Sequence, residues 1–231
     1  MNRTKIEWAD MTWNPITGCT RNCPYCYARR MAYRLKGRYG YPEENPFTPT
    51  FHPNRLLEPL SVKKPSKIFA VSMGEFFDKE VPELWRDLVL RIMFETYHHT
   101  YLVLTKQPHR VNFSNEEYVP SNLWVGVSQD GKTTSIEDIY DLEENAQVPR
   151  TFVSCEPLLG PVDLPEHSSL QWVIIGAQTG AGAKQPRREW VQRLASQAID
   201  QGIPIFIKNN VSMSDAERVQ EWPKDMEVPQ L

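Results

Sequence analysis

Short apolar runs that alternate with amphipathic helical stretches constrain this chain more than any other feature. The runs are Ile68–Met73, Tyr101–Thr105, Leu123–Ser128, Thr151–Cys155, Leu170–Ala177 and Ile203–Ile207. Between them, helical periodicity or helix-end signals mark Tyr27–Lys36, Pro82–His98, Thr134–Gln147 and Arg188–Gln201. Gly37 ends the first helix, and Pro82 opens the second, whose expected buried face is Leu84, Leu88 and Ile92. Strands that are apolar throughout and separated by helices belong to a parallel sheet covered on its faces. With Thr12–Ile16 as the first strand, an α/β chain of about six to seven parallel strands results. An open doubly wound sheet and a partial (β/α) barrel both accommodate that count. No Gly-x-Gly-x-x-Gly follows the first strand, and a cysteine loop does, which points to the partial barrel.

The 231 residues suffice for a single domain with its own core. Prolines 42, 46, 49, 53, 59 and 65 make residues 41–66 an excursion with at most a short helix near Asn54–Leu60. A short tail follows from about residue 209. A composition of 40% hydrophobic and 24% charged residues is that of a globular protein. No run approaches the ~18 apolar residues that cross a bilayer. The first residues lack a signal-peptide core, so a cytoplasmic location without membrane contact is expected.

Cys19, Cys23 and Cys26 fall within Gly18-Cys19-Thr20-Arg21-Asn22-Cys23-Pro24-Tyr25-Cys26. Three thiolates this close can surround a metal or an iron–sulfur cluster without long-range folding. A cubane held by three cysteines keeps one iron open to a substrate or cofactor. Zinc is the rival, but it wants a second close cysteine pair or a spaced histidine pair. The next imidazole is His52, and His98-His99 lies far off in sequence. Structural disulfides fit poorly with four cysteines and no secretory signal.

Function in parallel α/β sheets collects at the carboxyl ends of the strands. There this chain places the cysteine loop, Glu75, Lys106, Ser128 with Gln129, Glu156, Gln178 and Lys208. Such a set can line one pocket. Lys106 and Lys208 can anchor an anion or stand solvated, and Glu156 can touch a ligand or hold loop amides. The net charge of −3 gives no global argument for nucleic acid. From Arg21 to Arg38, however, there are Arg29, Arg30, Arg34 and Lys36 and no acid. That is either a solvated helix face or a basic rim for a phosphate-bearing substrate.

The C-x3-C-x2-C spacing, with Tyr25 before the last cysteine, resembles the signature of the radical S-adenosylmethionine (radical SAM) superfamily. The segments Thr12–Cys19, Ser72–Phe77, Leu104–Pro108, Trp124–Ser128, Glu156–Gly160 and Trp172–Gly176 resemble a phage-associated radical SAM-like family of unknown function. The likeness runs from about Trp8 to Lys208. It implies that Cys19, Cys23 and Cys26 ligate three irons of a [4Fe–4S] cluster whose fourth iron SAM chelates. Tyr25 then packs by the adenine, Gly74 lets backbone approach the methionine moiety, and Glu75 holds its ammonium. The alternative for Glu75 is a capping acid ahead of Pro82. Ser128 or Gln129 stands where a ribose-binding residue is usual. Two departures occur: Gly176-Ala177-Gln178-Thr179-Gly180 replaces Gly-Gly-Glu-Ser-Gly, and Lys208-Asn209 replaces Lys-Gln. Glu156 becomes the candidate catalytic acid. Cys155 is either a hydrogen-atom donor or a buried inert thiol, since strand alternation turns it away from the face of Glu156.

The implied activity is that of a radical SAM enzyme. It reductively cleaves SAM to a 5′-deoxyadenosyl radical that abstracts hydrogen from a substrate, with a nucleotide or nucleic-acid base favoured slightly. An external one-electron donor of flavodoxin or ferredoxin type is its implied partner. The alternative from another class is a non-catalytic iron–sulfur or zinc protein that regulates or scaffolds a partner.

Overall fold

The computed structural model describes residues 1–113, 119–144, 148 and 150–226. It is a mixed α/β fold with mostly parallel strands, and the chain divides into two compact units, Met1–Trp124 and Val125–Leu231.

In the first unit the elements run β1 (Asn2–Arg3), β2 (Met11–Trp13), β3 (Ile16–Thr17), α1 (Tyr27–Arg34), β4 (Thr50–Phe51), α2 (Pro53–Leu56), β5 (Lys67–Ala70), α3 (Glu83–Glu95) and β6 (Thr100–Thr105). β2 pairs parallel with β5, and β5 parallel with β6. β1 adds an antiparallel edge to β2, which period-2 reading does not reveal in two residues. The expected strand Thr12–Ile16 is broken in two. Pro15 cannot donate to a ladder, and Asn14 turns its Oδ1 to the Met73 amide at 2.9 Å. The chain then leaves the sheet, and β3 pairs antiparallel with β4 from the proline-rich excursion. The run Ile68–Met73 likewise stops early, at Ala70, because Val71 adopts φ 56°. A β-branched residue in the left-handed region is rare and strained. Here Val71 is held by its amide on the Trp13 carbonyl and by the Gly74 amide on its own.

α3 corrects the expected face. Leu84 is 64% exposed, whereas Ile92 is buried as expected, together with Val89, Leu90 and Met93. Pro82 is its N-cap residue, and the first turn stands clear of the packed C-terminal half.

The division between units falls within β7 (Leu123–Ser128). The second unit continues with α4 (Glu137–Glu143), β8 (Thr151–Cys155), β9 (Val173–Ile175), α5 (Arg188–Asp200) and β10 (Ile205–Ile207). β7, β8, β9 and β10 pair in that order, all parallel. Trp172 is fully buried among the rings of Phe152, Phe206 and Trp222, which anchors the unit's core. Gly126 is required beside it: a Cβ there would sit 2.4 Å from the Phe152 ring. α4 starts later than Thr134. Asp130 accepts from the amides of Lys132 and Thr133, and Thr134 Oγ1 accepts from the Asp130 amide at 2.9 Å, so a side-chain-bonded turn occupies these residues. The expected end of that helix, Gln147, and the last five residues of the tail lie outside the described residues. α5 follows its expected bounds within one residue and buries Val191, Leu194 and Ala198. No helix among the described residues is long and apolar enough to cross a membrane.

Candidate functional site

In the first unit the cysteine loop is latched on two sides. Gly18 forms a parallel bridge with Gly74, donating to the Met73 carbonyl at 3.0 Å and accepting from the Glu75 amide at 3.1 Å. Cys19 donates its amide to the Phe47 carbonyl at 2.9 Å, which ties the loop to the excursion. Gly18 has φ 91°, and a Cβ on it would lie 2.2 Å from the Thr48 carbonyl oxygen. A Cβ on Gly74 would lie 2.8 Å from the Gly18 oxygen. In this structure, then, Gly74 admits the cysteine loop's own backbone.

Side chains complete the latch. Asp78 accepts from the Thr20 amide and hydroxyl, both at 2.8 Å, and from the Glu80 amide at 3.0 Å. Burial works to raise its pKa, but these bonds outweigh it and hold the carboxyl below its ordinary value. Arg21 donates to the Lys106 carbonyl, and Arg29 donates to the Arg21 carbonyl and Asn22 while lying over the Phe47 ring at 5.3 Å. Arg29 is therefore committed to the loop. Arg30 and Arg34 remain exposed on α1.

Glu75 is buried, its carboxylate accepting from the Lys106 amide at 3.0 Å and the Phe77 amide at 3.3 Å. Burial pushes its pKa up against those bonds. The Thr105 hydroxyl bonds the carboxylate as well, which leaves it at most one lone pair for a further donor. The capping alternative for α3 finds no support, since Pro82 is the N-cap residue and no side-chain cap bond is made there. Lys106 Nζ lies 5.6 Å from the Tyr25 ring centroid, so these two expected site residues meet.

The sulfurs carry amide contacts. Cys19 Sγ accepts from Arg21 N at 3.3 Å, and Cys26 Sγ accepts from Arg29 N at 3.4 Å as the N-cap of α1. Burial pushes the Cys19 thiol up to about 12. The Arg21 amide offsets this in part, while Glu75, Asp78 and Cys23 add to it. A metal here must displace that proton. Among the described residues no three of His, Cys, Asp and Glu converge on one ion-sized point. The donor set is three soft sulfurs on one short loop, two of them accepting backbone N–H bonds, and its chemistry suits an iron–sulfur cluster. His52 is buried and hydrogen-bonded through Nε2 to Thr17 Oγ1 at 2.8 Å.

The second unit holds the remaining expected residues. Glu156, whose peptide bond to Pro157 is cis, meets Lys208 in an ion pair of 3.1 Å, with side chains only 21% and 13% exposed. Gly176 makes room for it: a Cβ would meet Glu156 Cγ at 2.8 Å and Lys208 Cδ at 3.1 Å. Ser128 pairs in register with Ser154 on β8. Gln129 spends its amide on the Ser135 carbonyl at 2.9 Å. Cys155 is fully buried opposite Ile175, away from the face of Glu156. Gln178 accepts from the Lys184 amide at 3.2 Å within its own loop.

Two residues of consequence escaped sequence reasoning. Asp78 gives no periodic signal, standing between an aromatic pair and a lysine. Asn210 clamps the backbone of Ala177 through both its oxygen and its nitrogen, at 3.1 and 2.9 Å. The departure from Lys-Gln after the last strand was the only hint near it.

Searches of curated proteins and of solved structures return no match to this chain. A family model does match, over residues 3–226, under the description "Protein of unknown function (DUF5131)". That span takes in both latched loop and ion pair, and the chain belongs to the DUF5131 family.

Proposed function

We propose that this protein is a radical SAM enzyme. The observation that carries the reading is the cysteine loop itself. Three thiols stand on a loop that follows β3 and is bridged through Gly18 to Gly74, two receive amide hydrogen bonds, and a buried glutamate lies beside them. Cys19, Cys23 and Cys26 would hold a [4Fe–4S] cluster. When bound, that cluster supplies the electron for reductive cleavage of SAM and so for hydrogen-atom abstraction from a substrate.

The chain's own residues fix and shelter the loop. Gly18 and Gly74 set its distance from the strand end, and Asp78 fixes the orientation of Thr20. Glu75, seated in low dielectric and already bonded by Lys106, Phe77 and Thr105, offers its one remaining lone pair to a cation such as the SAM ammonium. Lys106 presents positive charge over Tyr25 for a carboxylate or adenine edge. In the second unit, the Glu156–Lys208 pair is the acid–base couple for substrate contact. Exchange of its partner for a substrate group moves a proton or charge at Glu156 Oε2. The parallel strand–helix repeats of both units, with polar residues at their carboxyl ends, support a partial (β/α) barrel.

Anaerobic reconstitution, reduction with dithionite and addition of SAM should yield 5′-deoxyadenosine and methionine. Glu75→Gln should weaken SAM binding by about 1.5–3 kcal/mol, the scale of a hydrogen bond to a charged group, with iron content unchanged. An iron-loaded, reducible protein that leaves SAM intact overturns the enzyme reading in favour of a non-catalytic iron–sulfur protein.

A further inference from the structure

We infer that the exposed face of α1 binds single-stranded nucleic acid and delivers one unstacked base to the pocket beside Cys19. The inference names a substrate class for the enzyme proposed above and rests on that reading only for the chemistry after binding.

Charge is the first support. Between Asp10 and Glu43 the chain has no acidic residue, but it has Arg21, Arg29, Arg30, Arg34, Lys36 and Arg38, in a protein whose net charge is −3. Arg21 and Arg29 tie the loop, and Lys36 meets Glu43 at 3.4 Å. Arg30 and Arg34, one helical turn apart, are exposed and in no ion pair among the described residues. Two such guanidinium groups on one helix face can each pair with a backbone phosphate.

The second support is aromatic. Tyr33 and Tyr39 stand 57% and 73% exposed beside these arginines, and α1 turns its small residues Ala28 and Ala32 to the core. Cations interleaved with exposed rings are the composition of single-strand binding surfaces, where bases stack and phosphates pair.

The third support is a pocket of about 170 Å³ that joins this face to the cysteine loop. Tyr33 and Arg29 of α1 form one wall, Asn45 and Phe47 of the excursion another, and Cys19 and Glu80 also line it. One aromatic wall is thus shared with the basic face. Asn45 and Glu80 offer donor and acceptor edges of the kind that read an extruded base. Arg29 Nε is buried at this wall and has no hydrogen-bond partner among the described residues.

The test uses the purified full chain, fluorescein-labelled 20-nucleotide single-stranded DNA and RNA of mixed sequence, and vesicles of phosphatidylserine and phosphatidylcholine. At low ionic strength at least one oligonucleotide should bind, with affinity falling as salt rises. Arg30→Gln with Arg34→Gln should weaken binding at least about tenfold and reduce the log–log salt slope by about 1.4, the value for two single-strand phosphate contacts. Tyr33→Ala should weaken it about five- to a hundredfold through lost stacking, and should abolish the fluorescence rise of a 2-aminopurine base in the bound strand. Circular dichroism and iron content matching the wild type establish that the variants are folded. No salt-dependent binding to either oligonucleotide overturns the inference, as does binding indifferent to both variants. Vesicle binding without oligonucleotide binding overturns it in favour of a membrane surface. SAM cleavage without oligonucleotide is scored separately, so loss of one reading leaves the other standing.

Discussion

The cysteine loop of the first unit and the ion pair of the second are held by opposite means. The loop is fixed through backbone: Gly18 is trapped between Met73, Glu75 and Thr48, and Asp78 receives the Thr20 amide. The Glu156–Lys208 pair is fixed through side chains that answer to each other across Gly176. A backbone latch gives one geometry and little freedom, as a multi-sulfur site requires. A side-chain pair can exchange one partner for a substrate group, as an acid–base couple requires.

The largest effect should separate the two at their glycines. Gly18→Ala forces a left-handed φ on a residue with a Cβ and drives that atom into the rigid Thr48 carbonyl. Chemical denaturation should show a loss of about 3–5 kcal/mol, summing backbone strain and overpacking, with iron binding lost as well. A cost under about 1 kcal/mol would mean that the latch is not backbone-controlled.

Titration should come next. His52 sits buried just after β4 and bonded to Thr17 of β3, with its pKa lowered from 6.5 to about 4, chiefly by burial and then by Arg55. Its folded value is depressed, so the unfolded chain binds more protons between those two values. Stability therefore falls as pH drops from 6.5 to about 4, by on the order of 2–3 kcal/mol. His52→Gln should flatten that window. Asp78, also depressed, adds its own loss below its ordinary value of 3.8. A difference between wild type and His52→Gln that stays flat between pH 6.5 and 4 would show that the imidazole titrates in the fold as it does in the unfolded chain.

The second unit should respond to Lys208→Met by about 1–2 kcal/mol, the cost of leaving Glu156 half-buried without its cation. Adding Glu156→Gln to that variant should recover most of the loss. Failure of the double variant to recover it would place Lys208 in packing rather than in the pair. The smallest change belongs to Gly176→Ala. Its clashes are with flexible side chains, so the cost should stay under about 1 kcal/mol while the ion pair shifts. A cost equal to that of Gly18→Ala would erase the distinction between the two sites.

The same contrast decides what could be read in the sequence. Leu123–Ser128 and Thr151–Cys155 were legible to the residue, because continuous apolar runs buried on both faces leave no competing period. The antiparallel β3–β4 pair was not, because Thr50–Phe51 contributes two residues within a proline-rich stretch and its partner arrives from thirty-odd positions away. The outer turn of α3 was misassigned since Leu84 has the right period but lies beyond the packed half. At the site, residue types and strand-end positions were legible, and partners were not. Gly74 stood where a cofactor could approach, and the structure fills that approach with Gly18. Nothing in one sequence reveals that Asp78 and Thr20, or Asn210 and Ala177, meet.

Iron and acid-labile sulfide in anaerobically purified protein, measured beside Cys23→Ala, test most directly whether the latched loop is a cluster site. The account predicts a brown protein with about four irons and four sulfides per chain, and a colourless, folded Cys23→Ala variant. Stoichiometric zinc without iron in the wild type, or full iron retention in the variant, would contradict it.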